Sequence, residues 1–312
     1  MRFIARYRRE LSVALAYAVF LLVLAAAAPR FFGAEPLKSF AVRGAPVLVA
    51  AVGMTLVIVG RQIDISIGSQ FSICGVVAGL LAQAGAPIPV VGLATLLAGA
   101  GMGAVNGALV AGLGLPSIVA TLAMMVILRE SLRYVREGEF VRDLPAGFQW
   151  FGSGQESGRW LIVAIALVVF AAFAWGLSNL AAGRSVYATG SDAEAARLAG
   201  IRPRRVVFGV FVAMGTLAGL AALLNAVRFG DVDPNSGTGL ELQVIAAVVV
   251  GGTAVSGGRG TLAGTLIGVG LLSTIGPALV FLHAEAQWEK AIQGVIILLA
   301  VASDALYRGG SR

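Results

Sequence analysis

Apolar residues run in long blocks along the whole chain, and each block ends in a short polar or glycine-rich interruption. Blocks near the roughly 20 residues that a helix needs to cross a hydrocarbon core fall at about 11–28, 45–60, 67–84, 88–111, 116–134, 160–178, 207–224, 242–256, 261–282 and 288–303. The pattern predicts an all-α polytopic membrane protein of about ten transmembrane helices. A single domain over 1–312 is expected, because no polar stretch is long enough to fold separately. Several blocks are rich in small residues. Gly99, Gly103 and Gly107 recur every four positions, which lets helix backbones approach closely in lipid.

Composition agrees with this pattern: 58% of the 312 residues are hydrophobic and 12% charged, against about 25% charged in a soluble domain. The formal charge of +7 lies mostly in short loops and not in a basic stripe interleaved with aromatics, so it points to topology and not to nucleic acid. An even number of spans puts both termini on one side, together with the basic clusters Arg2–Arg9 and Arg184–Arg205. The positive-inside rule makes that side cytoplasmic. The first apolar block, about 18 residues, exceeds a signal-peptide core of roughly 7 to 15, which predicts an uncleaved first span. The single cysteine, Cys74, lies inside an apolar block and leaves neither a disulfide nor a cysteine metal site within one chain.

The interruption GRQIDISIGS at 60–69 places charge between two apolar blocks. The preceding block, 45–60, offers only about 24 Å of helix at 1.5 Å per residue, short of a core of roughly 30 Å. An unpaired Asp64 at the bilayer centre would cost about 2.5 to 3.5 kcal/mol. Two readings stand. Asp64 caps the following helix in a tight turn, with Arg61 at the membrane surface. Alternatively, the stretch is a half-buried break beside a solute path, where Gln62, Asp64, Ser66, Ser69 and Gln70 offer hydrogen bonds. Asn106, polar within its own block, serves either an interhelical hydrogen bond or the same path. A second break, VVVGGTAVSGGRGTLAG at 248–264, shares the V-x-V-G start of 57–60.

The segment 184–205 carries Ser191 and Glu194 in the spacing of a capping box, predicting a helix over 192–199 that Gly200 ends and Pro203 keeps from continuing. A helix about 12 Å long cannot stand alone in water, so it rests on the bundle or is gripped by a soluble partner. The segments 135–159 and 225–241 lie on the other side and carry Glu137, Glu139, Asp143, Glu156, Asp231, Asp233 and Glu241, candidates for docking a partner through complementary charge. His283, near Glu285 and Glu289, reads as an interfacial turn anchored by Trp288 and not as a metal site. No phosphate-binding G-x-x-x-x-G-K-[ST] loop is present, the only lysines being Lys38 and Lys290. Neither paired catalytic carboxylates nor a nucleophile with its base is visible, so no enzyme and no cofactor are expected.

Four stretches in order, GRQIDISIGS, NGALVAGLGLPSIVATLAMMVILRE at 106–130, GSDAEAARLAGI at 190–201 and PNSGTGLELQVIAAVVVGGTAVSGGRGTLAGTLIG at 234–268, together resemble the ribose-type permease subunits of bacterial ABC sugar importers. The resemblance spans about 45–303. It implies a ten-span, type II importer-like permease in the bacterial inner membrane, without metal or cofactor of its own. Its implied partners are a second permease subunit in a homo- or heterodimer, a cytoplasmic ATPase that uses ATP, a periplasmic sugar-binding protein and the surrounding lipid. The short helix would be the coupling helix, carried over onto Gly190, Ser191, Glu194, Ala195, Ala196, Gly200 and Ile201. Arg61 and Gln62 stand where the family commonly has two glycines, and Arg129-Glu130 where it has Arg-Gly. The arginine form looks more like permeases for rhamnose or autoinducer-2. A secondary, ion-coupled transporter of a small polar solute is the alternative reading, with Asp64 the only intramembrane acid in sight.

Overall fold

A computed structural model describes residues 8–285, 287–296 and 298. Helices α1 (Arg8–Ala27), α2 (Ala34–Val59), α3 (Ile67–Gln83), α4 (Ile88–Gly107), α5 (Ser117–Arg136), α6 (Gln155–Asn179), α7 (Ala181–Ser191), α8 (Ala193–Leu198), α9 (Pro203–Ala226), α10 (Leu240–Val250) and α11 (Leu262–Phe281) follow in order. Helical backbone resumes at 288–296. A single antiparallel bridge, Val141 with Val232, is the extended pairing among the described residues. Arg2 and Arg6, which contribute to the expected orientation, and the end of the last expected span lie outside the described residues.

The all-α polytopic architecture is present, but the helices are unequal. Five are long and apolar enough to cross a membrane: α2, α4 with its wider-wound continuation to Gly112, α6, α9 and α11. The apolar stretch of α1, Leu11–Ala27, and helices α3 and α10 are shorter. Two departures from the even pattern of ten have local causes. The second half of α5 carries Arg129, Glu130, Arg133 and Arg136, and α10 stops at Val250 because Gly251 and Gly252 turn the chain.

The expectation of a short second span is corrected. Helix α2 has 26 residues, about 39 Å. Its first turns are polar on one side because they meet the start of α6: the Lys38 ammonium lies 2.7 Å from the Glu156 carboxylate, and the Arg159 guanidinium 2.9 Å from that of Glu35. Pro46 sits inside the helix, where it removes one intrahelical donor without ending the element.

Helix α2 is the axis of the bundle. In its most apolar window 83% of residues are buried, against 17% in α6 at the periphery. Around it pack α9, α11, α6 and α10, and α9 in turn lies along α4. The α4–α9 seam is backbone against backbone: a Cβ added to Gly99 would stand 2.1 Å from the Gly215 carbonyl oxygen. Without a hydrophobic drive between helices in lipid, close packing is a main force that joins them, so this seam depends on glycines.

The segment 227–239, expected as a surface loop, in part descends into the bundle. It starts at the end of α9, pairs with Val141 at Val232, and packs there against Gly75 and Gly79 of α3. By Gly237 it has reached Gly68 and accepts anchorage from α3, the Gly237 N–H donating to Ser72 Oγ at 3.0 Å. Gly79 to Gly68 is about 16 Å along the helix axis. Helix α10 therefore starts inside the bundle. The end of the bundle where α9 finishes and α6 begins is called upper here, and the end carrying α7 and α8 lower.

The seam gives a matched pair of variants. Gly99→Leu forces α4 and α9 apart and should lower stability by at least about 1–3 kcal/mol, the range for overpacking. On the same helix Gly101 has nothing within 4 Å of a Cβ, so Gly101→Leu should leave the melting temperature of the purified protein unchanged. Equal melting temperatures for the two variants would contradict the packing described.

Candidate functional site

Helices α2 and α10 end in the same way. At α2 the N–H of Arg61 donates to Ile58 O and that of Gln62 to Val57 O, both at 2.9 Å. At α10 the N–H of Gly252 donates to Val249 O at 2.9 Å and that of Thr253 to Val248 O at 3.2 Å. Each pair of bonds is a Schellman motif, which needs a left-handed residue just past the helix. That residue is Arg61, with φ of 62°, in one case and Gly252, with φ of 96°, in the other. The V-x-V-G similarity between 57–60 and 248–251 is thus matched in backbone geometry. Arg61 holds a conformation that glycine adopts without strain.

After the first turn the chain enters a closed polar node. Asp64, fully buried, accepts from the Ser66 N–H at 2.9 Å and the Ser66 hydroxyl at 2.6 Å through Oδ1, and from Gln70 Nε2 at 3.1 Å through Oδ2. Asn106 Nδ2 of α4 lies 3.3 Å from Oδ2 and donates to Ser66 Oγ at 2.8 Å, as does Gln70 Nε2. The surrounding backbone is satisfied by the first two turns of α5: Ile63 N–H donates to Ser117 Oγ at 3.2 Å and Ile65 N–H to Thr121 Oγ1 at 3.0 Å. Irregular backbone at this depth is tolerated because protein, and not lipid, surrounds it.

The six expected polar-path residues therefore divide. Asp64, Ser66, Gln70 and Asn106 form the node. Ser69 turns to the other side of α3, donates to Met125 O at 2.8 Å, and lines a narrow cavity with Ser72, Arg129, Asn235 and Thr238. Gln62 contributes its backbone amide to the turn and is partly exposed. The cap reading does not hold: the N-cap of α3 is Ser66, with no side-chain cap bond, and Asp64 accepts from the Ser66 N–H and not from the amides of the first turn. The same carboxylate instead binds α4 through Asn106. Gln70 Oε1 and Asn106 Oδ1 are buried without a partner, each at a cost of about 1–3 kcal/mol.

Helix α7 docks on both breaks. Gly190 presses against the end of α2 so closely that a Cβ there would lie 1.8 Å from Val59 O. The same carbonyl accepts the Gly258 N–H at 2.8 Å, and Tyr187 donates its hydroxyl to Gly260 O at 2.7 Å. One carbonyl, Val59 O, is thus shared by the first break, the second break and α7.

The capping box is corrected. Ser191 ends α7, and the N-cap of α8 is Asp192, whose Oδ1 accepts from Glu194 N at 2.9 Å and Ala195 N at 3.0 Å. Glu194 does not reach back; it pairs with Arg197. An aspartate at the cap outcompetes the serine because its carboxylate reaches two amides at once. Gly200, with φ of 83°, stops the helix as expected. Of the residues carried over onto this loop, Gly190 and Ala196 are buried in the bundle, Ile201 is half-buried, and Ser191, Glu194, Ala195 and Gly200 are exposed. Leu198, 79% exposed, stands on the outer face of α8.

One ion pair was not legible as a pair. Arg129 of α5 lies 3.2 Å from Glu241 at the start of α10, and the second oxygen of Glu241 is buried against Gly68 without a partner. The signal in the sequence was Gly239 ahead of Glu241, a helix start, but nothing local showed that this start is inside the bundle. Among the described residues no group of three or more His, Cys, Asp or Glu side chains could hold a metal ion.

Asp64→Asn tests the node. It keeps the shape but turns an amide N–H₂ toward groups that already donate, so stability should fall by about 1–3 kcal/mol. Gln62→Ala, at a partly exposed position, should stay within about 0.5 kcal/mol. Thermal unfolding of the two purified variants checks both, and an Asp64→Asn protein as stable as the parent would remove the node as a structural element.

Residues 37–301 match the family model described as "Branched-chain amino acid transport system / permease component". The chain is similar to curated proteins named "Autoinducer 2 import system permease protein LsrC". The Salmonella typhi protein is 34% identical over 304 residues, covering 96% of this chain and 86% of that protein. The Shigella flexneri protein is 37% identical and the Escherichia coli (strain K12 / DH10B) protein 36%, each over 261 residues, 84% of this chain and 76% of theirs. No solved structure matches. The family match over most of the length, together with such relatives, shows that this chain belongs to the branched-chain amino acid transport system permease component family, as a multi-pass membrane permease.

Proposed function

We propose that this chain is the translocating subunit of an ATP-driven importer and carries a small polyhydroxylated solute across the bacterial inner membrane. The observation that carries the reading is the contact of α7 with both breaks through Val59 O and Gly190. A loop gripped from outside the bundle at α8 moves the two breaks together, and with them the helices they join. The relatives' name, autoinducer 2 import system permease, supports an import direction and a small sugar-like solute.

The whole chain works as one permease unit, beside a second permease copy or homologue and within lipid. The lower end is cytoplasmic, because Arg184, Arg197, Arg202, Arg204 and Arg205 cluster there. ATP is bound and split by a separate ATPase that takes hold of α8, where Leu198, Glu194 and Arg197 form the exposed face. A periplasmic solute-binding protein docks on the upper end, whose acidic residues include Glu137, Glu139, Asp143 and Glu156. ATP does work here only by binding one conformation of the assembly better than the other. The node of Asp64, Ser66, Gln70 and Asn106, with Gln62 and Ser69 beside it, lies on or next to the path that opens. No catalytic step, metal or cofactor belongs to this subunit.

Reconstitution with the cognate ATPase and binding protein in vesicles tests the reading. Solute uptake should require ATP and be indifferent to proton and sodium gradients; gradient-driven uptake without ATPase would instead establish an ion-coupled carrier. Glu194→Arg, which breaks the pair with Arg197 on the α8 surface, should lower uptake at least about tenfold, the effect of losing roughly 1.4 kcal/mol of coupling, with the protein still inserted. Unchanged uptake would remove α8 as the grip.

A further inference from the structure

At the upper end a cavity of about 190 Å³ opens between α3, α9 and the descending segment. Three phenylalanines bound it: Phe71, buried in its floor, and Phe140 and Phe229, 39% and 46% exposed at its mouth. Asn225, Asp231, Asp233 and Ser236 supply its polar wall. None of the residues named so far as node or path lines it.

The polar groups are held in place. Arg228 donates to Asn225 Oδ1 at 3.2 Å and lays its guanidinium 5.0 Å from the centre of the Phe229 ring. That arrangement fixes the Asn225 amide so that its N–H₂ is left to donate, and steadies the ring beside it. Asp233 is oriented by the Asn235 N–H, which donates to its Oδ1 at 2.7 Å. The wall thus offers two carboxylates as acceptors, an amide as donor and a hydroxyl as either, facing aromatic surface. Two carboxylates with no lining cation repel anions, and the Arg228 guanidinium just behind the wall offsets part of their charge. A guest with one apolar C–H face for the rings and several hydroxyls for the wall fits both halves.

Below the floor the way is shut. Gly237 meets Gly68 so tightly that a Cβ on Gly237 would lie 1.9 Å from Gly68 O, with the narrow cavity of Ser69, Ser72 and Arg129 alongside. The outer cavity is accessible from above while the bundle is closed beneath it.

We propose that the cavity between Phe71, Phe229, Asn225, Asp231 and Asp233 is a capture site for one neutral polyhydroxylated ring, occupied before the bundle opens. This deepens the importer reading above and rests on it for the direction of travel. Arg228 is a positioning residue for the site.

The permease assembly in lipid nanodiscs, without ATPase or binding protein, tests the site by saturation-transfer NMR. The probes are D-ribose, L-rhamnose and autoinducer 2, with choline and D-gluconate as charged comparisons. At least one neutral ring should bind saturably and the two charged probes should not. Phe229→Ala and Asp231→Asn, both at exposed positions, should weaken that binding about tenfold or more with unchanged melting temperature, as loss of a ring face or a charge-assisted hydrogen bond predicts. No saturable binding of any neutral ring, preference for choline or gluconate, or binding unaffected by both variants would overturn the site. Full ATP-driven uptake alongside any of those results fails the site and spares the importer; saturable binding without ATP-driven uptake does the reverse.

Discussion

A carboxylate inside a membrane bundle is tolerated only when donors surround it, and Asp64 draws them from more than one helix. Its oxygens take N–H and O–H groups from Ser66 and Gln70 on the α3 side and from Asn106 on α4. Water is excluded from the node, so the low dielectric strengthens each of these bonds and makes each missing one expensive. The position of α3 relative to α4 and the geometry of the break after α2 therefore follow from one side chain. Ser117 and Thr121 complete the arrangement by taking the backbone amides that a helix would otherwise have used.

The node is satisfied on the carboxylate side and deficient on the amide side. Gln70 and Asn106 both turn their N–H₂ groups inward and leave their carbonyl oxygens buried and bare. A few residues away, Val59 O joins α2, the loop after α10 and α7 at a single point. Rigid backbone contact passes displacement where side chains would yield. In the proposed function, a pull on α8 reaches the Asp64 node through the four residues 60–63.

Much of this could be read from the chain before any coordinates. The apolar blocks located the helices, GRQIDISIGS marked the break, and the V-x-V-G repeat marked two helix ends that share their hydrogen-bond pattern. What escaped was set by contacts distant in sequence. The first eleven residues of α2 looked like a loop because Glu35 and Lys38 are polar, and their partners, Glu156 and Arg159, lie on α6. Asp192 and Ser191 are both good caps by type, and only the end of α7 decided between them. The segment 227–239 is polar enough for a loop, and its descent is visible only through its pairing with Gly68, Ser72 and Val141. The pairing of Arg129 with Glu241 followed from that descent and could not precede it.

The shared point at Val59 can be disturbed without changing any polar side chain. Gly190→Ala places a methyl group where only 1.8 Å separates it from Val59 O, so α7 must lift from both breaks. The decisive measurement is solute uptake and ATP hydrolysis by the assembled importer carrying this single change. If α7 drives the breaks through that contact, uptake falls at least about tenfold, equivalent to roughly 1.4 kcal/mol of lost coupling, while subunits co-purify and ATP is still split. Uptake at the parental rate would contradict it.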